Sequence, residues 1–143
     1  MKVFIENESG SDKKNIFNEK TLEYKKTYPV SRKYPYPYGF VLDTTSGDGG
    51  NLDCFVITNR ALVSGTIIDV EPIGLMVQTE DGQDDHKILA VLPGEAPEIS
   101  DKVKSTLKEF CEHVFDHLEG KKTVIGEFYG KQKALEILLS LQD

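Results

Sequence analysis

Apolar residues fall in short blocks over the first two thirds of the chain and then change period after Pro97. Runs at 2–6, 38–42, 53–58, 66–71, 74–77 and 87–92 are separated by Gly, Pro, Asn and Asp clusters, the pattern of hairpin-connected strands. The acidic stretch 79–85 lies between two of these runs, which predicts a solvent-reachable loop. Past Pro97, the positions Val103, Leu107, Phe110, Cys111, Val114, Phe115 and Leu118 follow helical spacing. They predict a helix over 101–118, with Ser100 as N-cap and Gly120 as its stop. A strand at 123–128 and a second helix at 132–141, apolar at Ala134, Leu135, Leu138 and Leu141, follow. Strands early and helices late point to a small closed barrel with helices packed outside it, rather than to alternating βαβ units.

Composition narrows this picture without changing it. The 143 residues fit one domain over 1–143, and 38% hydrophobic with 29% charged residues is a globular balance. Neither a signal-like apolar core at the N-terminus nor a membrane-length apolar run is visible, which predicts a cytoplasmic protein with no membrane partner. A net charge of −7 argues against nucleic acid or anionic lipid, while leaving room for a local basic pocket. Cys54 and Cys111 sit in apolar patterns and are expected to be buried free thiols.

Three groups of residues carry candidate chemistry. Asp48 and Asp53 bracket the turn Asp48-Gly49-Gly50-Asn51, and Glu80, Asp81, Asp84 and Asp85 crowd a later segment. Two readings stand at this point: carboxylates gathered around a hard cation such as Mg²⁺, or a solvated, turn-forming acidic surface. The stretch from Lys33 to Phe40 interleaves tyrosines with prolines that stiffen the backbone, which suits either a phosphate-contacting hydroxyl or a rigid aromatic corner of the core. In Asp85-His86-Lys87 the carboxylate and ammonium stand two residues apart, so an extended segment turns both to one face.

In their order and spacing these segments resemble family I inorganic pyrophosphatase. The match runs through Tyr34-Pro-x-x-Tyr38-Gly39-Phe40, Asp48-Gly49-x-x-x-Asp53, Glu71-Pro72-Ile73-Gly74 and Asp85-x-Lys87. The resemblance implies Mg²⁺-dependent hydrolysis of pyrophosphate, or a related phosphoanhydride, to phosphate. It implies a mostly β (α+β) fold, a small closed five-stranded OB-like barrel with two flanking helices. Family members commonly assemble, so a homo-oligomer is an expected state. Carried over by position, Asp48, Asp53, Glu80, Asp85 and Glu6 match metal-site carboxylates, with Glu80 where an aspartate is usual. Lys14, Lys26, Tyr38 and Lys87 match substrate contacts, Lys26 standing for an arginine, and Asp53, Lys87 and Tyr38 match catalytic positions.

The chain also departs from the family. Gly50 stands where a water-activating aspartate is usual, Ile16 where a glutamate is, Val114-Phe115 where a Tyr-Lys pair is, and Glu71 where an arginine is. Loss of a base at position 50 predicts slow hydrolysis or an altered substrate, and Gly50→Asp is expected to speed the reaction. The alternative is a catalytically silent protein of the same fold that binds phosphate, a metal or a protein partner.

Overall fold

The computed structural model describes all residues from Met1 to Asp143. Ten strands and two helices follow in the order β1 Lys2–Asn7, β2 Lys13–Phe17, β3 Tyr24–Pro29, β4 Tyr38–Val41, β5 Asp53–Val56, β6 Ile67–Asp69, β7 Glu71–Glu80, β8 Gln83–Asp84, β9 Lys87–Val91, α1 Asp101–His113, β10 Thr123–Gly130 and α2 Lys131–Leu141. The main sheet has eight strands, ordered β10-β7-β9-β5-β4-β1-β6 with β8 paired to β7, and β2-β3 forms a separate hairpin. This is the expected mostly β, OB-like architecture with two helices. Its hydrogen-bonded path runs between the edge strands β10 and β6 rather than strictly closing on itself.

Both faces of the central strands are covered. In β5, Cys54 and Val56 belong to a cluster of 12 buried residues that α2 joins through Ala134, while Phe55 belongs to a second cluster of 11 that α1 joins through Leu107, Phe110 and Cys111. Successive side chains of a strand point to opposite faces, so unbroken apolar runs such as Ile88-Leu89-Ala90-Val91 are what a strand buried on both sides requires. β5 and β9 pair parallel at the middle of this arrangement. Gly39 is needed where β4 crosses β1, because a Cβ there would stand 1.8 Å from the Phe4 carbonyl oxygen.

Several elements differ from the sequence reading. α1 starts as expected, with the Ser100 hydroxyl accepting from the Val103 N–H at 3.2 Å, but it ends at His113 rather than at 118. The Val114 carbonyl is taken by the Ser31 N–H at 2.8 Å, and turns through Asp116 and Leu118 replace the last helical turn. The stretch 79–85, expected as a solvent-reachable loop, is a tight hairpin whose residues 81–84 are exposed: Asp81 (φ 51°) and Gly82 (φ 83°) form the two-residue turn that joins β7 to β8. β2 and β3 had no apolar signal, since Lys25, Lys26 and Thr27 of β3 are exposed. No helix is long and apolar enough to cross a membrane.

Candidate active site

The floor of the main cavity is set by strand register. β5 and β9 pair so that Asp53 stands opposite Lys87. The Lys87 ammonium donates to Asp53 Oδ2 at 2.6 Å and to the Tyr38 hydroxyl at 3.0 Å, and lies 3.1 Å from Asp85 Oδ2. Asp85 precedes β9 by two positions, so it shares a face with Lys87 as an extended segment requires. Lys87 is only 5% exposed. Burial alone would lower its pKa, yet the Asp53 and Asp85 carboxylates outweigh that cost and hold the ammonium well above the ordinary lysine value.

Tyr38 enters from β4, packed on Phe55 with ring centroids 4.7 Å apart. Burial, followed by the nearby Asp53 charge, keeps its phenol far above the usual range, so the hydroxyl stays protonated. Because the oxygen already accepts from Lys87, its own O–H is free to donate into the cavity. The Lys14 ammonium arrives from β2 and lies 5.5 Å from the centre of the Tyr38 ring and 5.9 Å from that of Phe115.

Glu6 reaches the same space through a β-bulge. The pairing of β1 with β4 slips between Ile5 and Asn7, which leaves Glu6 as the extra residue and re-aims its side chain. It is buried, and desolvation pushes its carboxyl up to about 8, with Lys14 opposing and Asp53 and Glu19 adding to the rise. The Asp85 carboxyl is likewise raised, by burial first, against the pull of Lys87.

The rim is made by two loops. Asp48 accepts from the Ser46 hydroxyl and from the Gly50 N–H at 2.9 Å, which fixes the turn that carries Gly50. Facing it, the β2-β3 turn is organised by Asn18, whose Oδ1 accepts from the Lys20 and Thr21 amides. That turn presents Glu19, whose Oε1 accepts from the Asn51 N–H at 3.0 Å. Burial raises the Glu19 pKa, the Asn51 amide counteracts, and Asp53 and Asp48 add to the rise.

These groups line one cavity of about 240 Å³: Glu6, Lys14, Tyr38, Asp48, Asp53, Asp85 and Lys87 all face it, with Ile16, Val114 and Phe115 on its apolar side. Two predicted site residues lie outside it. Lys26 sits exposed on β3, and Glu80 at the end of β7 pairs with Lys121. Two charged or amide side chains of the cavity were not anticipated from the sequence, Glu19 and Gln78. Glu19 lies in a turn that no apolar pattern announces, the one local cue being the turn-forming residue Asn18 before it. Gln78 lies inside a strand run where only its burial marks it.

The carboxylates are crowded and incompletely compensated. No three acidic, histidine or cysteine side chains stand in a ready-made metal cage, and the Lys87 ammonium occupies the place between Asp53 and Asp85. The donor set nevertheless fits a hard cation: it is all oxygen, and Glu6, Glu19 and Asp85 are raised as buried carboxylates short of positive charge are. Gln78, buried beside Asp85 and lining the same cavity, has an Oε1 without a hydrogen-bond partner.

Comparison with known proteins places this arrangement. A family model described as inorganic pyrophosphatase matches residues 3–143. The inorganic pyrophosphatase of Nanoarchaeum equitans is 35% identical over 99% of this chain and 94% of its own. That of Geobacillus stearothermophilus is 32% identical over 96% of this chain and 89% of its own. In fold, the inorganic pyrophosphatase of Neisseria gonorrhoeae superposes with a TM-score of 0.90 at 23% identity, over 99% of this chain and 88% of its own. With the family pattern matched along nearly its whole length, the chain belongs to the inorganic pyrophosphatase family.

Proposed function

We propose that this protein, acting as one domain over 1–143, hydrolyses inorganic pyrophosphate to two phosphates in a Mg²⁺-dependent reaction. The observation that carries the reading is a buried ammonium, Lys87, held by Asp53 and Asp85 beside a protonated Tyr38 hydroxyl in a cavity that Lys14 also enters. Lys14 and Lys87 supply positive charge to phosphate oxygens, and the Tyr38 O–H donates to one of them. Asp53 and Asp85 hold the ammonium in place, and the excess of carboxylate charge around it is what a bound cation would offset. Phosphoryl transfer needs chiefly such positioning and charge stabilisation.

Asp48, Asp53, Asp85 and Glu6 are the residues that would hold Mg²⁺, with Glu80, paired to Lys121, a metal contact only from the edge of the site. The ion supplies neutralisation of phosphate charge and a more acidic water. Lys26, on the exposed face of β3, would contact substrate by reaching inward from the hairpin. A cytoplasmic setting suits a chain without an apolar spanning helix or a disulfide.

A second reading rests on the apolar side of the cavity, where Ile16, Val114 and Phe115 offer no charge to a substrate. On that reading the fold binds phosphate, a metal or a protein without turnover. Phosphate release from pyrophosphate, followed with and without Mg²⁺ alongside thermal melting, separates the two. Turnover that needs Mg²⁺ supports hydrolysis, whereas stabilisation by ligand without phosphate release supports binding alone.

A further inference from the structure

Position sets one carboxylate of the cavity apart, the one that stands beside Gly50 at the rim. Asp53 and Asp85 are engaged by the Lys87 ammonium, and Asp48 by the Ser46 hydroxyl and the Gly50 N–H. Glu6 lies deeper, 9% exposed in the bulge of β1. Glu19 stands half-buried at the rim, with Oε1 fixed by the Asn51 N–H and Oε2 outside that bond.

The position of Oε2 is telling. A Cβ built on Gly50 would meet it at 2.9 Å and would stand 3.3 Å from Asp48 Oδ1. The space that a side chain at position 50 would fill is therefore already taken by a carboxylate from a different loop. Gly50 has no positive φ that demands glycine, so backbone conformation does not require the missing side chain. The Asn18 turn and the Asn51 amide hold Glu19 from both sides, which fixes its orientation.

We propose that Glu19 is the water-orienting carboxylate of this protein, supplied by the β2-β3 turn in place of a side chain at position 50. The inference rests on the pyrophosphatase reading. A water molecule donates one hydrogen to Glu19 Oε2 while its oxygen attacks a phosphorus atom of pyrophosphate. As the new P–O bond forms, the bond from that phosphorus to the bridging oxygen breaks. The water proton passes to Glu19 and then to the departing phosphate, which restores the carboxylate, so two phosphates form from pyrophosphate and one water. A carboxylate added at position 50 would set a second negative charge against Glu19 rather than fill an empty place, which removes the gain expected for Gly50→Asp from the sequence.

The test compares wild type with Glu19→Gln, Gly50→Asp, the double variant Glu19→Gln/Gly50→Asp, and Glu23→Gln as an exposed control. Phosphate release from Mg²⁺ pyrophosphate, Mg²⁺ affinity by titration calorimetry and melting temperature are measured for each. Glu19→Gln keeps the bond from the Asn51 amide, so its kcat should fall by about 10²–10⁴-fold with KM, Mg²⁺ affinity and melting temperature little changed. Gly50→Asp alone should not exceed wild type, the double variant should recover at least about tenfold over Glu19→Gln, and Glu23→Gln should match wild type. Wild-type turnover in Glu19→Gln overturns the proposal and leaves the pyrophosphatase reading intact. So does a Mg²⁺ affinity that falls in step with kcat, or a folded double variant with no recovery. If Glu19→Gln melts early, recovery in the double variant decides. A wild type that binds Mg²⁺ but releases no phosphate overturns the pyrophosphatase reading, and this proposal with it.

Discussion

On the floor of the cavity Asp53 and Lys87 meet because β5 and β9 pair in register, whereas at the rim Glu19 and Asn51 meet across two loops joined by a hydrogen bond of 3.0 Å. The floor is held by a ladder with apolar packing on both faces. The rim is held by turn chemistry at Asn18 and Asp48. A group set by strand register cannot move without breaking the sheet, while one set by a turn can be exchanged for a carboxylate from another loop. In this molecule Asp53, Asp85, Lys87 and Tyr38, which the resemblance matched to the family, lie on the floor, while Gly50 and Ile16, which it set apart, fall on the rim and wall.

The sharpest way to break this contrast is to remove the buried cation. Lys87→Met leaves Asp53 and Asp85 facing each other inside the fold, and breaking a buried pair from one side costs about 3–5 kcal/mol. Urea unfolding should show that loss together with abolished turnover. A loss under about 1 kcal/mol, the size expected of a surface pair, would mean that the floor is no firmer than the rim.

A subtler probe is pH. The folded-state pKa of Glu6 is raised from 4.5 to about 8, so the fold favours its protonated form. Its contribution to stability is full below pH 4.5 and is lost as pH rises towards 8. Without divalent metal, wild type should therefore lose stability across that window, and Glu6→Gln should flatten the loss. Chemical denaturation at pH 5 and pH 8 checks it, and identical slopes for the two proteins would refute the buried-charge account of Glu6.

The smallest effect is expected at Glu80. Its pair with Lys121 is partly exposed, so Glu80→Gln should cost at most about 0.5 kcal/mol. Titration calorimetry should show Mg²⁺ affinity weakened far less by Glu80→Gln than by Asp53→Asn. Equal losses would move Glu80 from the edge of the site into it.

What the sequence made legible follows the same division. Apolar runs gave β5 and β9, and the Asp85-x-Lys87 spacing placed two groups on one face, because side-chain alternation in a strand is a local rule. The β2-β3 hairpin was invisible, since Tyr24–Pro29 is almost wholly exposed and has no buried face to imprint a period. Glu19 could not be found without that hairpin. The end of α1 was overestimated because Val114, Phe115 and Leu118 continue the helical spacing, and the competing Ser31 amide that captures the Val114 carbonyl is 83 positions away in sequence (114 − 31). The hairpin at Asp81-Gly82 was readable from its turn dipeptide, though the acidic residues around it pointed only to a solvent-reachable loop.

The parallel pairing of β5 with β9 also bears on how the molecule comes to exist. Asp53 and Lys87 are 34 positions apart, and β6, β7 and β8 lie between them along the chain. Such non-local contacts form only after the intervening loop entropy has been lost, so they belong to the slow, cooperative part of folding. Asp85 and Lys87 are neighbours in any conformation, but the trio with Asp53 cannot assemble before the sheet does. A nascent or partly folded chain thus lacks the cavity floor altogether, and competence for chemistry becomes a property of the fully folded molecule alone.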